Sequence, residues 1–398
     1  MILHRILAEA AVEVADGVFA RRKVLDHELG AAFARHPKWG KRDRAFVAGT
    51  VFEVVRWRRA LAFIADVAEG DTAALCAAQW RRMGFELPSW WRHEGAGDAE
   101  MAERETALAG QGRAVRESIP DWLDEWGVAG LGARWEAELT ALNRRARVYL
   151  RVNTLRNSPC EARAWLSGHG IEATPVAGMP EALELPEGRV IPKGLLLEGR
   201  VEIQDAASQR IAPLLGARPD EIVVDACAGA GGKTLHLAAL MANRGLIHAL
   251  DVDPRRLREL QRRSAAAGVT NIRVAPMNPV TLAALAGQAD RVLVDAPCSG
   301  LGTLKRQPDL KWRLTPSDIG RVRRIQDELL DSCPAMLRPG GVMVYATCSI
   351  LPEENHRAVE RVTAGAGLRW IEEEQISPAE TGWDGFYAAV LRSGAESQ

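Results

Sequence analysis

The 398-residue chain has no Cys-x-x-Cys pair, almost no net charge and no long apolar run. Its six cysteines, Cys76, Cys160, Cys227, Cys298, Cys333 and Cys348, are scattered and lack neighbouring histidines, which argues against a disulfide framework or a zinc site. No metal is expected. A formal net charge of -1 excludes a chain that is basic throughout, so any nucleic-acid binding must come from local patches. No apolar stretch approaches the roughly 18 residues that a membrane span needs. Residues 1–19 mix His4, Arg5, Glu9, Glu13 and Asp16 into their apolar residues, unlike the uninterrupted core of a signal peptide. A soluble cytoplasmic protein without a membrane partner is expected. The chain also lacks internal repeats and low-complexity segments.

The chain is long for one hydrophobic core, and its patterning changes twice. Over residues 1–142 apolar residues recur at helical spacing, as in Phe46, Val51, Val54, Val55 and Trp57, which predicts an all-helical domain. Eight of the twelve tryptophans fall here, at positions suited to filling a small helical core. Residues 92–98 read as a loop. Over 143–204 an alternating segment, with Val148, Leu150 and Val152 on one face and Tyr149, Arg151 and Asn153 on the other, predicts a half-buried strand in a small α+β module. Over 205–398 strands predicted at 222–225, 246–251, 271–275, 291–295 and 342–347 alternate with helices. That is the rhythm of an α/β, Rossmann-like, mostly parallel doubly wound sheet.

Two cysteines follow predicted strands directly: Cys298 in Asp295-Ala-Pro-Cys-Ser299 and Cys348 in Tyr345-Ala-Thr-Cys-Ser349. Parallel strands would bring both thiols to one carboxyl edge. Two thiols there suggest covalent chemistry, because a thiol whose pKa is lowered from about 8.5 is the best neutral-pH nucleophile among side chains.

The run Val223-Val-Asp225-Ala-Cys-Ala-Gly229-Ala-Gly-Gly-Lys233-Thr234 reads as strand, glycine-rich turn and helix start, where backbone N–H groups can meet a ligand. A phosphate-binding P-loop would need glycine where Cys227 stands, and a dinucleotide fingerprint would need it at Thr234. An adenosyl site fits better, with Asp251 ending the next predicted strand as acceptor for ribose hydroxyls. Asp253 reads instead as the N-cap of a helix beginning at Pro254.

Residues 225–234, Asp295-Ala-Pro-Cys-Ser-Gly-Leu-Gly-Thr303, Pro308-Asp-Leu-Lys-Trp-Arg313 and Ala346-Thr-Cys-Ser-Ile-Leu-Pro-Glu-Glu-Asn355 together resemble the RNA cytosine-C5 methyltransferases of the Sun and nucleolar-protein family. The likeness is dense from about residue 144 onward and includes Tyr149-Leu-Arg-Val-Asn-Thr-Leu155. Residues 1–142 more weakly resemble a NusB-like RNA-binding domain. The resemblance implies a class I methyltransferase domain using S-adenosyl-L-methionine, with Cys227, Ala228, Gly229, Ala230, Gly231, Gly232, Lys233, Asp251, Asn278 and Asp295 around the cofactor. It implies rRNA processing through RNA methylation to 5-methylcytosine, with 16S ribosomal RNA as the substrate and a monomeric enzyme. Cytosine C5 becomes nucleophilic when a thiolate adds to C6, and the adduct must lose its C5 proton before the thiolate leaves. Residue types alone suggest Cys298 as nucleophile. The family assigns attack to Cys348, product release to Cys298, and holding of the flipped base to Asp295.

The sequence departs from the family pattern in two places. Gly229-Ala230 replaces a usual Ala-Pro, which should loosen the loop, and Asn278 replaces an acid expected to accept a bond from the adenine amino group, which an amide carbonyl can still do. Lys233 either approaches the ligands or forms a salt bridge. Cys227 reads as a small side chain inside the loop, and Cys76, Cys160 and Cys333 as ordinary. Two basic clusters, one of Lys305, Arg306, Lys311, Arg313, Arg321, Arg323 and Arg324 and one of Arg144, Arg145, Arg147, Arg151 and Arg156, are candidates for RNA phosphate contacts. The arginine-rich stretch 255–263 reads as a solvated face. The alternatives are a transfer RNA substrate and a catalytically silent RNA-binding assembly factor.

Overall fold

The computed structural model describes residues 3–93, 95–363 and 367–394. Met1 and Ile2 of the expected helical domain, Glu94 of the expected loop and residues 395–398 lie outside them. The described chain divides into two compact units, one of residues 1–144 with 303–316 and one of residues 145–302 with 317–398. This differs from the three-part division expected at 142 and 204, because the α+β module belongs with the sheet and a late segment belongs with the helices.

The first unit is helical. Helix Arg5–Phe19 buries Leu7, Ala8, Ala11, Val14, Ala15 and Val18. They form one stripe at three- and four-residue spacing, and it packs against Val47, Val51, Val54 and Val55 of Lys41–Arg56. Trp80, fully buried, satisfies its indole N–H on Thr50 Oγ1 at 3.0 Å and meets the edge of Trp91 at 5.0 Å between centroids. Most of the region's tryptophans are core, as the composition suggested: Trp80, Trp91 and Trp135 are buried, and Trp39, Trp57 and Trp90 pack against the cluster.

Residues 303–316 complete this unit. Trp312 joins the helical core, donates its indole N–H to Val55 O at 2.6 Å and meets Phe19 edge-on at 6.4 Å. Lys311 is fully buried, its ammonium donating to Arg56 O at 2.7 Å and Asn143 Oδ1 at 3.1 Å. Burial drives its pKa well below the ordinary lysine value. Asp309, also buried, accepts from Leu25 N at 3.3 Å and from Arg313 Nε at 2.6 Å.

In the second unit, β1 (Tyr149–Val152), β2 (Thr174–Val176), β3 (Met179–Glu184) and β4 (Val201–Ile203) form an antiparallel sheet in the order β2-β3-β1-β4. Helix Pro159–Gly168, opened by a Ser158/Glu161 capping box with proline at the first turn, packs on it. Strand β1 is buried on both faces, not one. Leu150 and Val152 face Ala162 and Leu166 of that helix, and Tyr149 faces Ala182 and Ala206. Arg151, on the second face, is 2% exposed, and burial pushes its guanidinium down to about 10 against the opposing pull of Glu202 and Glu181.

The larger sheet runs β10-β11-β9-β8-β5-β6-β7. Its strands are β5 (Ile222–Asp225), β6 (Leu246–Asp251), β7 (Ile272–Pro276), β8 (Ala289–Asp295), β9 (Leu337–Thr347), β10 (Leu368–Ile376) and β11 (Phe386–Ser393). The pairs from β9 through β7 are parallel, as expected for near-continuous apolar strands covered on both faces. Strands β10 and β11, absent from the sequence reading, add antiparallel at one edge. Strand order reverses between β5 and β8, the switch point where such sheets open a crevice at the carboxyl ends of their strands.

Candidate active site

Four strands end at that crevice in polar residues: Asp225 on β5, Asp251 on β6, Asp295 on β8 and Thr347 on β9. A cavity of about 750 Å³ lies over them, and its lining brings together Asp225, residues 227–230, Gly232, Lys233, Asp251, Asp295, Cys298 and Cys348. Gly231 and Asn278 are not part of that lining. Gly231 caps helix Gly232–Leu240 with φ 93°, and a Cβ there would stand 2.2 Å from Leu260 Cδ1, so only glycine fits. Asn278 caps helix Pro279–Ala284, its carbonyl accepting from Thr281 N at 2.9 Å, while the adjacent Met277 lines the cavity. Asp253 is likewise a cap, accepting from Arg255 N at 2.8 Å.

The glycine loop is held from two sides. Asp251, buried at the end of β6, accepts from Gly229 N at 2.9 Å with one oxygen and from Asp253 N at 2.7 Å with the other. Arg263 donates to Ala230 O at 2.6 Å and pairs with Glu202 at 2.6 Å. Gly229 has φ 55°, and no atom lies within 4 Å of where a Cβ would be. The two residues that were expected to loosen the loop are thus the two that are tied. Arg263 is thus not part of the solvated face expected for 255–263, and its place three residues after the buried Leu260 is the sequence signal for it.

Electrostatics across the crevice are graded. Asp225, 1% exposed, accepts from Thr234 Oγ1 at 2.7 Å, and burial above all pushes its carboxyl up to about 7 against that bond and the charge of Lys233. Lys233 forms the salt bridge alternative: its ammonium stands 2.6 Å from Asp295 Oδ2 and 5.1 Å from the centre of the Phe386 ring. Cys227 lines the cavity with its thiol pushed well up by burial.

The two thiols meet, with Sγ of Cys298 and Sγ of Cys348 3.3 Å apart. Strands β8 and β9 are parallel neighbours with Asp295 opposite Ala346, so the turns that follow them emerge side by side. The bond to Cys348, burial and the charges of Cys348 and Glu354 all push the Cys298 thiol well up. Beneath Cys348, Gly302 donates to Cys348 O at 2.9 Å and accepts from Gly385 N at 2.8 Å. A Cβ at Gly302 would lie 2.1 Å from Gly385 O, so the second glycine of Ser-Gly-Leu-Gly is required by close backbone approach.

The basic clusters need correction. Lys305 and Lys311 are buried, and both stand with Arg306 and Arg313 in the segment that completes the helical unit. Arg151 is buried as well, and Arg147 pairs with Glu184 at 2.5 Å. Arg321 and Arg324 on helix Pro316–Ser332, together with Arg144 and Arg156, are exposed.

A parallel sheet with this switch point, a glycine turn after its first strand and an acid ending the second defines a class I S-adenosylmethionine-dependent methyltransferase. Residues 212–392 match the family model of 16S rRNA methyltransferase RsmB/F, and residues 119–192 match the ferredoxin-like domain of RsmF/B-like methyltransferases. The ribosomal RNA small subunit methyltransferase B of Shewanella oneidensis is 34% identical over 304 residues, which are 72% of this chain and 69% of that protein. The probable ribosomal RNA small subunit methyltransferase B of Synechocystis sp. is 36% identical over 259 residues, 61% of this chain but 56% of that protein. A methyltransferase homologue from Pyrococcus horikoshii has the same fold with a TM-score of 0.64 at 27% identity, covering 72% of this chain and 99% of that one. The chain belongs to the RsmB/F family of 16S rRNA methyltransferases.

Proposed function

We propose that this protein methylates C5 of a cytosine in 16S ribosomal RNA through a covalent adduct at Cys348. The observation that carries the reading is the 3.3 Å contact between two thiols at the floor of a cavity whose other wall is an adenosyl-type glycine loop. S-adenosylmethionine, when bound, supplies an electrophilic methyl group. The residues present suit it: the loop 227–233 approaches without bulk, Asp251 ends the neighbouring strand as acceptor for ribose hydroxyls, and Asp225 offers a carboxylate to a cationic ligand. Asn278 then serves by fixing the turn that carries Met277.

The geometry supports the following roles for the chain's own side chains. Cys348 as thiolate adds to C6 of a cytosine flipped from its stack, while the S–H of Cys298 donates to it. The contact itself would let either thiol donate, and the family resemblance gives attack to Cys348 and release to Cys298. Asp295 accepts from the 4-amino group. Lys233, 2.6 Å from Asp295, counters the negative charge that spreads over the ring after addition. Once C5 is alkylated, its proton passes to solvent water, the C5–C6 double bond re-forms and the C–S electron pair returns to Cys348, beside the Cys298 donor.

Cys348→Ala is expected to abolish methyl transfer, and Cys298→Ala to accumulate a protein–RNA adduct seen as a shifted band on a denaturing gel. An adduct on the Cys348→Ala variant instead would reverse the roles. Bisulfite comparison of ribosomal and transfer RNA from a deletion strain and its parent identifies the substrate, and a lost mark in transfer RNA alone would replace the ribosomal assignment.

A further inference from the structure

Neither cysteine turn carries a charged group, yet both converge on one. Glu354, fully buried, receives Ser299 N at 2.8 Å and Gln326 Nε2 at 3.1 Å on Oε1, and the hydroxyls of Ser299 and Ser349 at 2.5 Å each on Oε2. The two serines immediately follow the two cysteines and are used in the same way. Ser299 Oγ accepts from Leu301 N at 3.4 Å, and Ser349 Oγ accepts from Leu351 N at 3.1 Å. Each Cys-Ser-x-Leu turn therefore closes on its own serine and sends that serine's proton to the same carboxylate oxygen. Gln326 extends the set by donating also to Pro297 O at 2.9 Å, one residue before Cys298. Glu354 is itself anchored to β9, since Tyr345 Oη donates to Glu354 O at 2.7 Å.

We propose that Glu354 is the positioning residue of the thiol pair: its carboxylate ties the turn after β8 to the turn after β9 and so holds Cys298 and Cys348 in contact. This rests on the reading of the two thiols as the reacting pair. The proposal needs the charged, acceptor-only form. An ionised carboxylate accepts at two oxygens and donates nowhere, which matches four converging donors. A glutamine of the same shape would set its N–H₂ either against the donors Ser299 N and Gln326 Nε2 or where both serine hydroxyls now find their acceptor, so the charge-assisted ties between the two turns are lost. An aspartate keeps the charge but is one methylene too short to meet both turns.

Glu354 never touches the substrate in this scheme. Its effect passes through sulfur–sulfur distance, and that distance can be read without RNA. Diamide takes two electrons and two protons from a thiol pair to form a disulfide, and peptide mapping of the full-length protein measures the 298–348 crosslink by a mass loss of two hydrogens. Glu354→Gln is expected to slow that crosslink about tenfold or more and to lower turnover about 100-fold, while S-adenosylmethionine affinity by calorimetry stays within about twofold. Glu354→Asp should recover part of both rates. A wild-type crosslinking rate in Glu354→Gln overturns the proposal. So does parallel loss of cofactor binding and near-ultraviolet circular dichroism, which would make Glu354 a general support of the fold. If the crosslink slows as expected but the parent protein methylates no RNA, the positioning role stands and the methyltransfer reading fails.

Discussion

Binding of S-adenosylmethionine should expel a proton from Asp225. The carboxyl sits at 1% exposure at the end of β5, and burial lifts it to about 7, so near neutral pH the unliganded protein carries it half protonated. The ligand brings a permanent sulfonium and an ammonium into the cavity that Asp225 lines, which favours the carboxylate and draws its pKa down. The proton released per binding event then equals the protonated fraction beforehand, about 0.9 at pH 6, 0.5 at pH 7 and 0.1 at pH 8. By the same linkage, affinity should rise about tenfold per pH unit below 6 and flatten above about 8. The sign is fixed by which form binds: a group with a raised acid pKa is protonated below it, so acidification opposes a cationic ligand. Calorimetry at pH 7 in phosphate and in Tris reads the release directly, because the two buffers take up the proton with different heats. The ligand's own amino group, with a pKa near 7.7–8.0, also titrates. Asp225→Asn, which keeps Thr234 within bonding reach, subtracts that contribution. Equal heats in the two buffers for the parent protein, or a buffer difference unchanged in Asp225→Asn, would refute the reasoning.

Two further substitutions probe the supports of the site and of the helical unit. Arg263→Ala removes the charged donor to Ala230 O and strands Glu202, and a charge-assisted bond of about 1.5–3 kcal/mol predicts cofactor binding weaker by about tenfold or more in the same calorimetric assay. Trp312→Ala should destabilise the helical unit by about 2–3 kcal/mol, less than the usual cost of a fully buried tryptophan because the ring is only partly buried, read as an earlier tryptophan-fluorescence transition in urea.

The chemistry-bearing parts were the most legible. Parallel strands announce themselves as apolar runs ending in a polar residue, so the placing of Asp225, Asp251, Asp295, Cys298 and Cys348 at one sheet edge follows from local pattern and the βα rhythm. What stayed hidden depends on partners distant in sequence. Strand β11 has buried residues from Phe386 through Leu391 without alternation, and its antiparallel seat beside β9 is set by pairing and not by periodicity. Lys311, Lys305 and Arg151 count as surface cations in any one-dimensional reading, but all three are buried, Lys311 on oxygens of remote Arg56 and Asn143 and Arg151 in the field of Glu202 and Glu181. Arg263 is hidden for the converse reason: the other four arginines of its stretch, Arg255, Arg256, Arg258 and Arg262, do face solvent. Glu354 lies within a quoted motif, but nothing local distinguishes it from Glu353, which reaches only Arg357 at the surface.

The late segment 303–316 ties the timing of folding to the order of synthesis. A ribosome finishes residue 144 with the helical unit still missing Lys311 and Trp312, and must add roughly 170 more residues before it can be closed, about 10–35 s at 5–20 residues per second. During that interval the places for Trp312 beside Phe19 and for the Lys311 ammonium on Arg56 O stand open. Strands β5 to β8 are all synthesised before the helices are sealed. A nascent chain halted before residue 303 therefore carries an incomplete first unit, and a gene cut at residue 144 would encode one.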